Sequence, residues 1–123
     1  GELCDMRKPQ PSWNKKIIDW ANQEHNLKDV GTSYYRMSTG VILPTHGDAY
    51  KAYRRIFNCE LHNCYRIIIF LEDWQSGHYF EIDNTPISAY PAGTWVKWVA
   101  DTTHMAANLG ITNRYTLQIT GHK

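Results

Sequence analysis

The chain is poor in cysteine, in net charge and in long hydrophobic runs, and each shortage excludes a class of protein. Its three cysteines, Cys4, Cys59 and Cys64, are an odd number, which argues against a disulfide framework and indicates a reducing compartment. Thirteen basic and twelve acidic side chains leave a formal charge of +1, so no overall field attracts nucleic acid or an anionic membrane. We therefore expect any anionic ligand to meet local charges.

No run of residues approaches the roughly eighteen apolar positions that a membrane-spanning helix needs. The first ten residues also lack the apolar core of a signal peptide. These two absences predict a cytoplasmic protein without a membrane partner. The length of 123 residues suits one hydrophobic core, so we expect a single domain over residues 1–123.

What the sequence does contain is a short helical pattern followed by a long β pattern. Residues 11–27 predict a helix with Ser12 as its N-cap, and its apolar face is expected to cover one side of the core. After Gly31 come short segments rich in β-branched and aromatic residues, separated by turn formers. The candidate strands are 33–37, 40–45, 65–71, 78–82, 87–90, 94–99, 103–108 and 114–120.

Seven or eight short strands over residues 33–120, with little room for crossover helices, indicate an antiparallel barrel or jelly roll. The long connection 48–64 is polar and aromatic. Long connections in compact domains often act as lids or binding loops, so this one is a candidate substrate flap, with Tyr53 as a candidate contact. The alternative is a surface excursion with one helical turn.

Two side chains of metal-ligand type follow the predicted strand 40–45, in the sequence His46-Gly47-Asp48. In extended backbone, residues two apart point the same way, so His46 and Asp48 can reach one metal ion. His104 lies in another predicted strand. Two imidazoles and one carboxylate on one face of an octahedral ion form the facial triad typical of non-haem Fe(II) oxygenases, which leaves three positions open.

A second cluster, Cys59, His62 and Cys64, also has metal-ligand chemistry, and zinc is the metal that it would suit. The cluster lacks a clear fourth ligand. A free cysteine is commonly a small buried hydrophobic residue, so we expect these cysteines to be structural.

Arg114 follows His104 by ten residues, at the start of the last predicted strand. A keto acid and dioxygen can fill three open positions on Fe(II), and the far carboxylate of that keto acid needs a buried cation. A guanidinium pairs with a carboxylate through two parallel hydrogen bonds and stays charged. Arg114 is the candidate, and Thr116 faces the same side of the strand with a hydroxyl donor.

The residues His46-Gly47-Asp48, His104 and Arg114-Tyr115-Thr116 resemble the H-x-D, distal His and R-x-S/T pattern of the Fe(II)/2-oxoglutarate-dependent dioxygenases. Resemblance to the prolyl and aspartyl/asparaginyl hydroxylase branches lies in segments 40–46, 66–71 and 91–95. The resemblance implies a double-stranded β-helix, a form of jelly roll, with the N-terminal helix packed on it. It also implies Fe(II), 2-oxoglutarate as co-substrate, dioxygen, and hydroxylation of a small molecule, an amino acid or a peptide side chain. Since related halogenases replace the carboxylate ligand with a small residue, Asp48 favours hydroxylation.

Four further side chains are candidates for contact with the co-substrate or the substrate. Arg66 opens a strongly apolar strand and can point into the same cavity. Asn108 shares a strand face with His104 by the period of two. The remaining candidates are His78, at the mouth of the barrel, and Tyr53, in the flap.

Two other classes of function stay open. A jelly-roll module, lectin-like or cupin-like, can bind a metal or a ligand without turnover. A metal-dependent cupin isomerase, or a dioxygenase that uses no keto acid, fits the three ligands but leaves Arg114 and Thr116 unexplained.

Overall fold

Two antiparallel sheets form the framework of the chain in a computed structural model, which describes residues 2–3 and 11–123. The larger sheet has five strands in the spatial order β1 (Glu2–Leu3), β2 (Lys28–Met37), β9 (Arg114–His122), β4 (Cys64–Phe70) and β7 (Trp95–Val99). The smaller sheet has four strands in the order β3 (Ile42–His46), β8 (His104–Asn108), β5 (His78–Ile82) and β6 (Thr85–Pro86). The prediction of a mainly β chain with antiparallel strands is confirmed.

The helices of the described residues are α1 (Asn14–His25), α2 (Lys51–Phe57) and a 3₁₀ turn, Leu61–Asn63. The prediction of Ser12 as N-cap is wrong, because the cap position is Trp13, which makes no side-chain capping bond. The backbone N–H of Asn14 donates to the carbonyl of Pro11 at 3.0 Å, so residues 11–13 form a turn before the helix begins. Within the part of the chain that is described, neither α-helix is long and apolar enough to cross a membrane.

The larger sheet is covered on both of its faces, and this explains why β4 is apolar at nearly every position. Ile67 faces α1 in a cluster that also contains Ala21, Leu27, Leu117 and Ile119. Ile68 and Phe70, on the opposite face of β4, pack toward the smaller sheet. The core between the sheets also contains Met37, Phe80, Tyr90, Trp98 and Ala106. Side chains on the inner face of the larger sheet are therefore the ones that can line a site between the sheets.

One predicted strand, 87–90, is wrong. Ala89 has a φ of 53°, in the left-handed region that interrupts an extended strand. The strand that forms a hairpin with β5 is β6, only two residues long, which follows a tight turn at Asp83 and Asn84. Both turn residues have positive φ, as a type I′ hairpin turn requires. Ile87 and Tyr90 instead pack against the core, where Tyr90 stacks on Phe70 with ring centroids 3.9 Å apart.

Gly77 and Gly40 provide a matched test of the packing at the smaller sheet, because both have φ near +90°. A Cβ on Gly77 would lie 2.4 Å from the backbone of Gly110, whereas a Cβ on Gly40 would meet nothing within 4 Å. We expect Gly40→Ala to cost about 1–2 kcal/mol of unfolding free energy through backbone strain alone. Gly77→Ala should cost about 1–3 kcal/mol more, because the backbone segments at Gly77 and Gly110 must also move apart. Chemical denaturation of both variants measures the difference, and equal losses would contradict the close approach.

Candidate metal centre

A cavity of about 240 Å³ lies between the two sheets. Its polar lining comes from both sheets and from the segment after β3, and its apolar lining comes from the core. The lining residues are Tyr35, Leu43, His46, Asp48, Arg66, Ile68, Phe80, Trp98, His104, Ala106, Arg114, Thr116 and Gln118. The cavity therefore brings together His46, Asp48, His104, Arg114, Thr116 and Arg66, six of the nine residues that the sequence suggested.

A β-bulge in β3 aims His46 into this cavity. Leu43 pairs with Ala106 and His46 pairs with His104, so β3 advances three residues along a stretch in which β8 advances two. Leu43 and His46 both line the cavity although an odd separation would place them on opposite faces of a regular strand. Bulges re-aim side chains in this way, and Pro44, which has no N–H for the ladder, lies inside the irregular stretch. The two imidazoles consequently lie side by side, with ring centroids 4.4 Å apart.

Backbone carbonyls orient both histidines. The Nδ1 of His46 lies 2.7 Å from the carbonyl oxygen of Pro44, and the Nδ1 of His104 lies 3.0 Å from that of Thr102. A carbonyl oxygen only accepts, so each Nδ1 donates and each ring presents its Nε2 for other interactions. Hydrogen bonds of this kind hold metal-binding imidazoles in one tautomer and one orientation.

Asp48 completes the group, although it lies beyond the end of β3. Its Oδ2 is 3.3 Å from Nε2 of His104, and its Oδ1 is 3.8 Å from Nε2 of His46. The guanidinium of Arg66 is 3.9 Å away. The neighbouring His104, with help from the charge of Arg66, holds the pKa of Asp48 below its ordinary value despite partial burial. The carboxyl group is therefore ionised and ready to act as a ligand.

Gly47 makes the path between His46 and Asp48 possible. A Cβ at this position would lie 2.8 Å from Oδ1 of Asp101 and 3.1 Å from its carbonyl oxygen. Asp101 belongs to the turn between β7 and β8. Because Gly47 has no side chain, the turn between β7 and β8 can pack directly against this part of the chain.

The ligand atoms of His46, Asp48 and His104 all lie within 4.8 Å of one another. Among the described residues this is the only group of three or more such side chains that could hold a metal ion. The zinc alternative at Cys59, His62 and Cys64 does not form such a group: the two sulfurs lie 3.8 Å apart, without His62 as a third ligand. Cys64 is a buried thiol that donates to the carbonyl of Glu60.

Arg114 lies in the same cavity as a buried cation without a matching anion. The residue is only 6% exposed, and its Nε has no hydrogen-bond partner among the described residues. Its Nη1 makes one long contact, 3.5 Å, with the carbonyl oxygen of Tyr79. No carboxylate of the described residues forms an ion pair with it, and burial lowers the pKa of Arg114 from its ordinary value. Such a guanidinium is costly to bury unless an anion binds to it.

Three predicted contacts lie outside the cavity lining, and each has a structural partner. The amide of Asn108 donates to the carbonyls of Met37, at 2.9 Å, and Thr112, at 2.8 Å, and so holds the turn between β8 and β9. His78 donates from Nε2 to Thr112, at 3.0 Å. The hydroxyl of Tyr53 donates to the carbonyl of Asp29 at 3.0 Å. The strand period of two predicted that Asn108 shares a face with His104. It could not predict that the Asn108 amide hydrogen-bonds within the turn between β8 and β9.

Sequence reasoning did not single out Tyr35 and Gln118, which also line the cavity. Gln118 lies on the same face of β9 as Arg114 and Thr116, so the period of two could have found it. Tyr35 is opposite Thr116 on β2, and only the pairing of the two strands places it there.

The chain matches no protein-family model, and no curated protein is similar to it at the sequence level. Solved structures are similar in fold. A cupin protein from Bacteroides fragilis is 16% identical with a TM-score of 0.53, over 82% of this chain and 72% of the other. A cupin 2 conserved barrel domain protein from Salinispora arenicola is 15% identical with a TM-score of 0.55, over 97% and 73%. An RmlC-like cupin family protein from Methanocaldococcus jannaschii, with a double-stranded β-helix fold, is 14% identical with a TM-score of 0.51, over 76% and 70%.

The chain has a double-stranded β-helix fold. This confirms the predicted fold class, including the helix packed on one sheet. At identities this low the likeness is one of fold, so the chemistry of this double-stranded β-helix has to be argued from its own side chains.

The donor set fits a divalent transition-metal ion. With metal–ligand bonds of about 2.1 Å, adjacent ligand atoms of an octahedral ion lie about 3 Å apart. Oδ2 of Asp48 lies 3.3 Å from Nε2 of His104, which is close to this value. The three ligand atoms as a set lie within 4.8 Å of one another, so the side chains must draw together to bind one ion. Two imidazoles with one carboxylate, all near one end of a cavity, are the ligands of a facial triad.

We expect His46→Ala and His104→Ala each to abolish tight metal binding by this double-stranded β-helix, because two remaining ligands lose both affinity and geometry. His62→Ala is the control, since His62 is exposed and outside the group. Metal content after equilibration with Fe(II) under anaerobic conditions measures the effect. Undiminished iron in both cavity variants would contradict the assignment of the ligands.

Proposed function

We propose that this chain is an Fe(II)-dependent oxygenase that uses 2-oxoglutarate as its co-substrate. The observation that carries the proposal is Arg114, a buried guanidinium with an unpartnered Nε in the same cavity as the three metal-ligand side chains. A metal site alone would serve many functions. A metal site that shares its cavity with a buried, unmatched cation suits a ligand that chelates the metal at one end and carries a carboxylate at the other.

In this proposal His46 and His104 bind Fe(II) through Nε2, and Asp48 binds it through its carboxylate. The carbonyls of Pro44 and Thr102 keep both rings oriented, and Trp98 packs against His104 with ring centroids 4.8 Å apart. These contacts would hold the three side chains in place for the ion. The rest of the cavity would then be available to a chelating ligand and dioxygen.

Arg114 and Thr116 bind the distal carboxylate of 2-oxoglutarate. Thr116 is two residues from Arg114 on the inner face of β9, and Tyr35 lies opposite Thr116 on β2. Ile68, Phe80 and Trp98 provide apolar walls that exclude water from the reacting groups. Bound iron supplies the activation of dioxygen, of which one atom enters succinate as carbon dioxide leaves, and the other hydroxylates a substrate C–H bond.

The substrate in this proposal is a small molecule, an amino acid or a peptide side chain, as the resemblance to prolyl and aspartyl/asparaginyl hydroxylases implies. The competing function is a binding module of the same fold that performs no turnover. Anaerobic titration with Fe(II) and 2-oxoglutarate distinguishes the two, because a chelated keto acid gives a weak visible charge-transfer band. Release of succinate and carbon dioxide that requires Fe(II) and 2-oxoglutarate together would support the oxygenase; its absence, with metal bound, would favour the binding module.

Replacing Arg114 should weaken the binding of 2-oxoglutarate. Loss of one partner of a buried, hydrogen-bonded charge pair costs on the order of 2–5 kcal/mol. At about 1.4 kcal/mol per decade, Arg114→Ala should raise the dissociation constant roughly 30-fold to several thousand-fold. Arg114→Lys should recover part of the affinity, because the charge survives while the planar fork is lost.

The affinity is measured at saturating Fe(II), with circular dichroism to verify that each variant is folded. Arg55→Ala is the control, since Arg55 is an exposed arginine on α2. If parent, Arg114→Ala and Arg114→Lys bind 2-oxoglutarate equally, the co-substrate assignment is wrong.

Replacing Asp48 separates metal binding from turnover. We expect Asp48→Ala to retain weak iron binding through the two imidazoles but to lose hydroxylation, since water or halide takes the vacated position. Iron content and succinate release are the two measurements, with Asp19→Ala as control, since Asp19 lies in α1 and outside the group. Turnover by Asp48→Ala at the parent rate would remove the carboxylate from the ligand set.

A further inference from the structure

Arg66 is a second guanidinium in the cavity, and the residues around it leave part of it free. Its Nε donates to Oγ1 of Thr120 at 3.2 Å, and its Nη1 donates to Oε1 of Gln118 at 2.5 Å. Nη1 is also 3.9 Å from Asp48. No acceptor of the described residues binds Nη2, although the Arg66 side chain is only 16% exposed. Arg66 is thus held at Nε and Nη1, while the donors of Nη2 stay available.

Tyr50 lies against the same guanidinium. The guanidinium carbon of Arg66 is 4.9 Å from the centroid of the Tyr50 ring, a cation–π arrangement that fixes the plane of the Arg66 head group. The Tyr50 hydroxyl is buried and donates to no acceptor of the described residues. The backbone of Tyr50 is in the left-handed region, with φ of 49°, at the start of α2. A residue held at such a φ costs energy, and a buried hydroxyl without a partner adds to that cost.

The charges of the cavity do not balance when metal and 2-oxoglutarate are both bound. The charged lining residues are Asp48, Arg66 and Arg114. Two guanidinium charges and two metal charges then face one carboxylate of Asp48 and two carboxylates of 2-oxoglutarate. One positive charge remains without an anion. Arg114 takes the distal carboxylate and Asp48 becomes a metal ligand, so the remaining positive charge is that of Arg66.

We infer that Arg66 and the Tyr50 hydroxyl form an anion subsite that binds a carboxylate of the hydroxylation substrate. This inference rests on the proposed function. A guanidinium whose Nη2 donors are free can hydrogen-bond a carboxylate, and a single negative charge restores neutrality. The substrate class is accordingly a carboxylate-bearing molecule, such as an amino acid or an acidic side chain, and not a neutral one.

The test uses propionate and propionamide, which have nearly the same shape and differ in charge. Each is titrated calorimetrically, under anaerobic conditions, into protein loaded with Fe(II) and 2-oxoglutarate, while the charge-transfer band reports that the keto acid stays bound. We expect propionate to bind at least about tenfold more tightly than propionamide. Arg66→Gln should weaken propionate binding by about tenfold or more, because the subsite loses its charge. Arg66→Lys should fall between the two, and Arg55→Gln is the control on an exposed arginine.

Tyr50→Phe keeps the ring on Arg66 and removes only the hydroxyl. It should weaken propionate binding by a few-fold, and unchanged affinity would exclude the hydroxyl from the subsite. Equal binding of propionate and propionamide, or equal binding of propionate by parent and Arg66→Gln, would overturn the inference. A parent protein that forms no charge-transfer band contradicts the proposed function instead. Because the band and the propionate affinity are separate readouts, the two failures are distinguishable.

Discussion

The irregular pairing of β3 with β8 is the constraint on which the site depends. Without the bulge between Leu43 and His46, a regular strand would direct one of these two side chains away from the cavity. With it, His46 lies across from His104, and the chain leaves the sheet immediately afterwards to present Asp48. Two ligands are therefore set by a pair of hydrogen-bonded strands, which are more rigid than a loop. The third ligand depends on the path through Gly47.

That path connects the metal site to the turn between β7 and β8. Asp101 approaches Gly47 so closely that a Cβ would collide with it, and Asp101 has a φ of 71°. The turn also carries Thr102, whose carbonyl orients His104. One tight contact thus fixes the path of the chain beside Asp48 and the orientation of His104 together. Even small displacements of catalytic groups can be costly in rate, so the close packing serves the geometry of the site.

Much of the fold and part of the site could be predicted from the sequence, because both depend on the period of two. The alternation places Arg114, Thr116 and Gln118 on the inner face of β9, and Leu117 and Ile119 on the face toward α1. The period of two could not predict the bulge in β3, because Pro44 is the only feature of the local sequence that marks it. The same limit explains the wrong strand at 87–90, where apolar residues fill the end of the core from an irregular segment.

The cavity concentrates charge in a way that folding alone does not favour. Arg114 is buried without an anion from the described part of the chain, Asp48 is shared among Arg66 and two imidazoles, and the Tyr50 hydroxyl donates to no acceptor of the described residues. Each of these features costs stability, since a buried polar group needs a partner to offset its loss of water. An apolar filling of the same space would suit a purely structural double-stranded β-helix. Because these departures from local rules of stability converge on one cavity, that cavity is the candidate functional site of the chain.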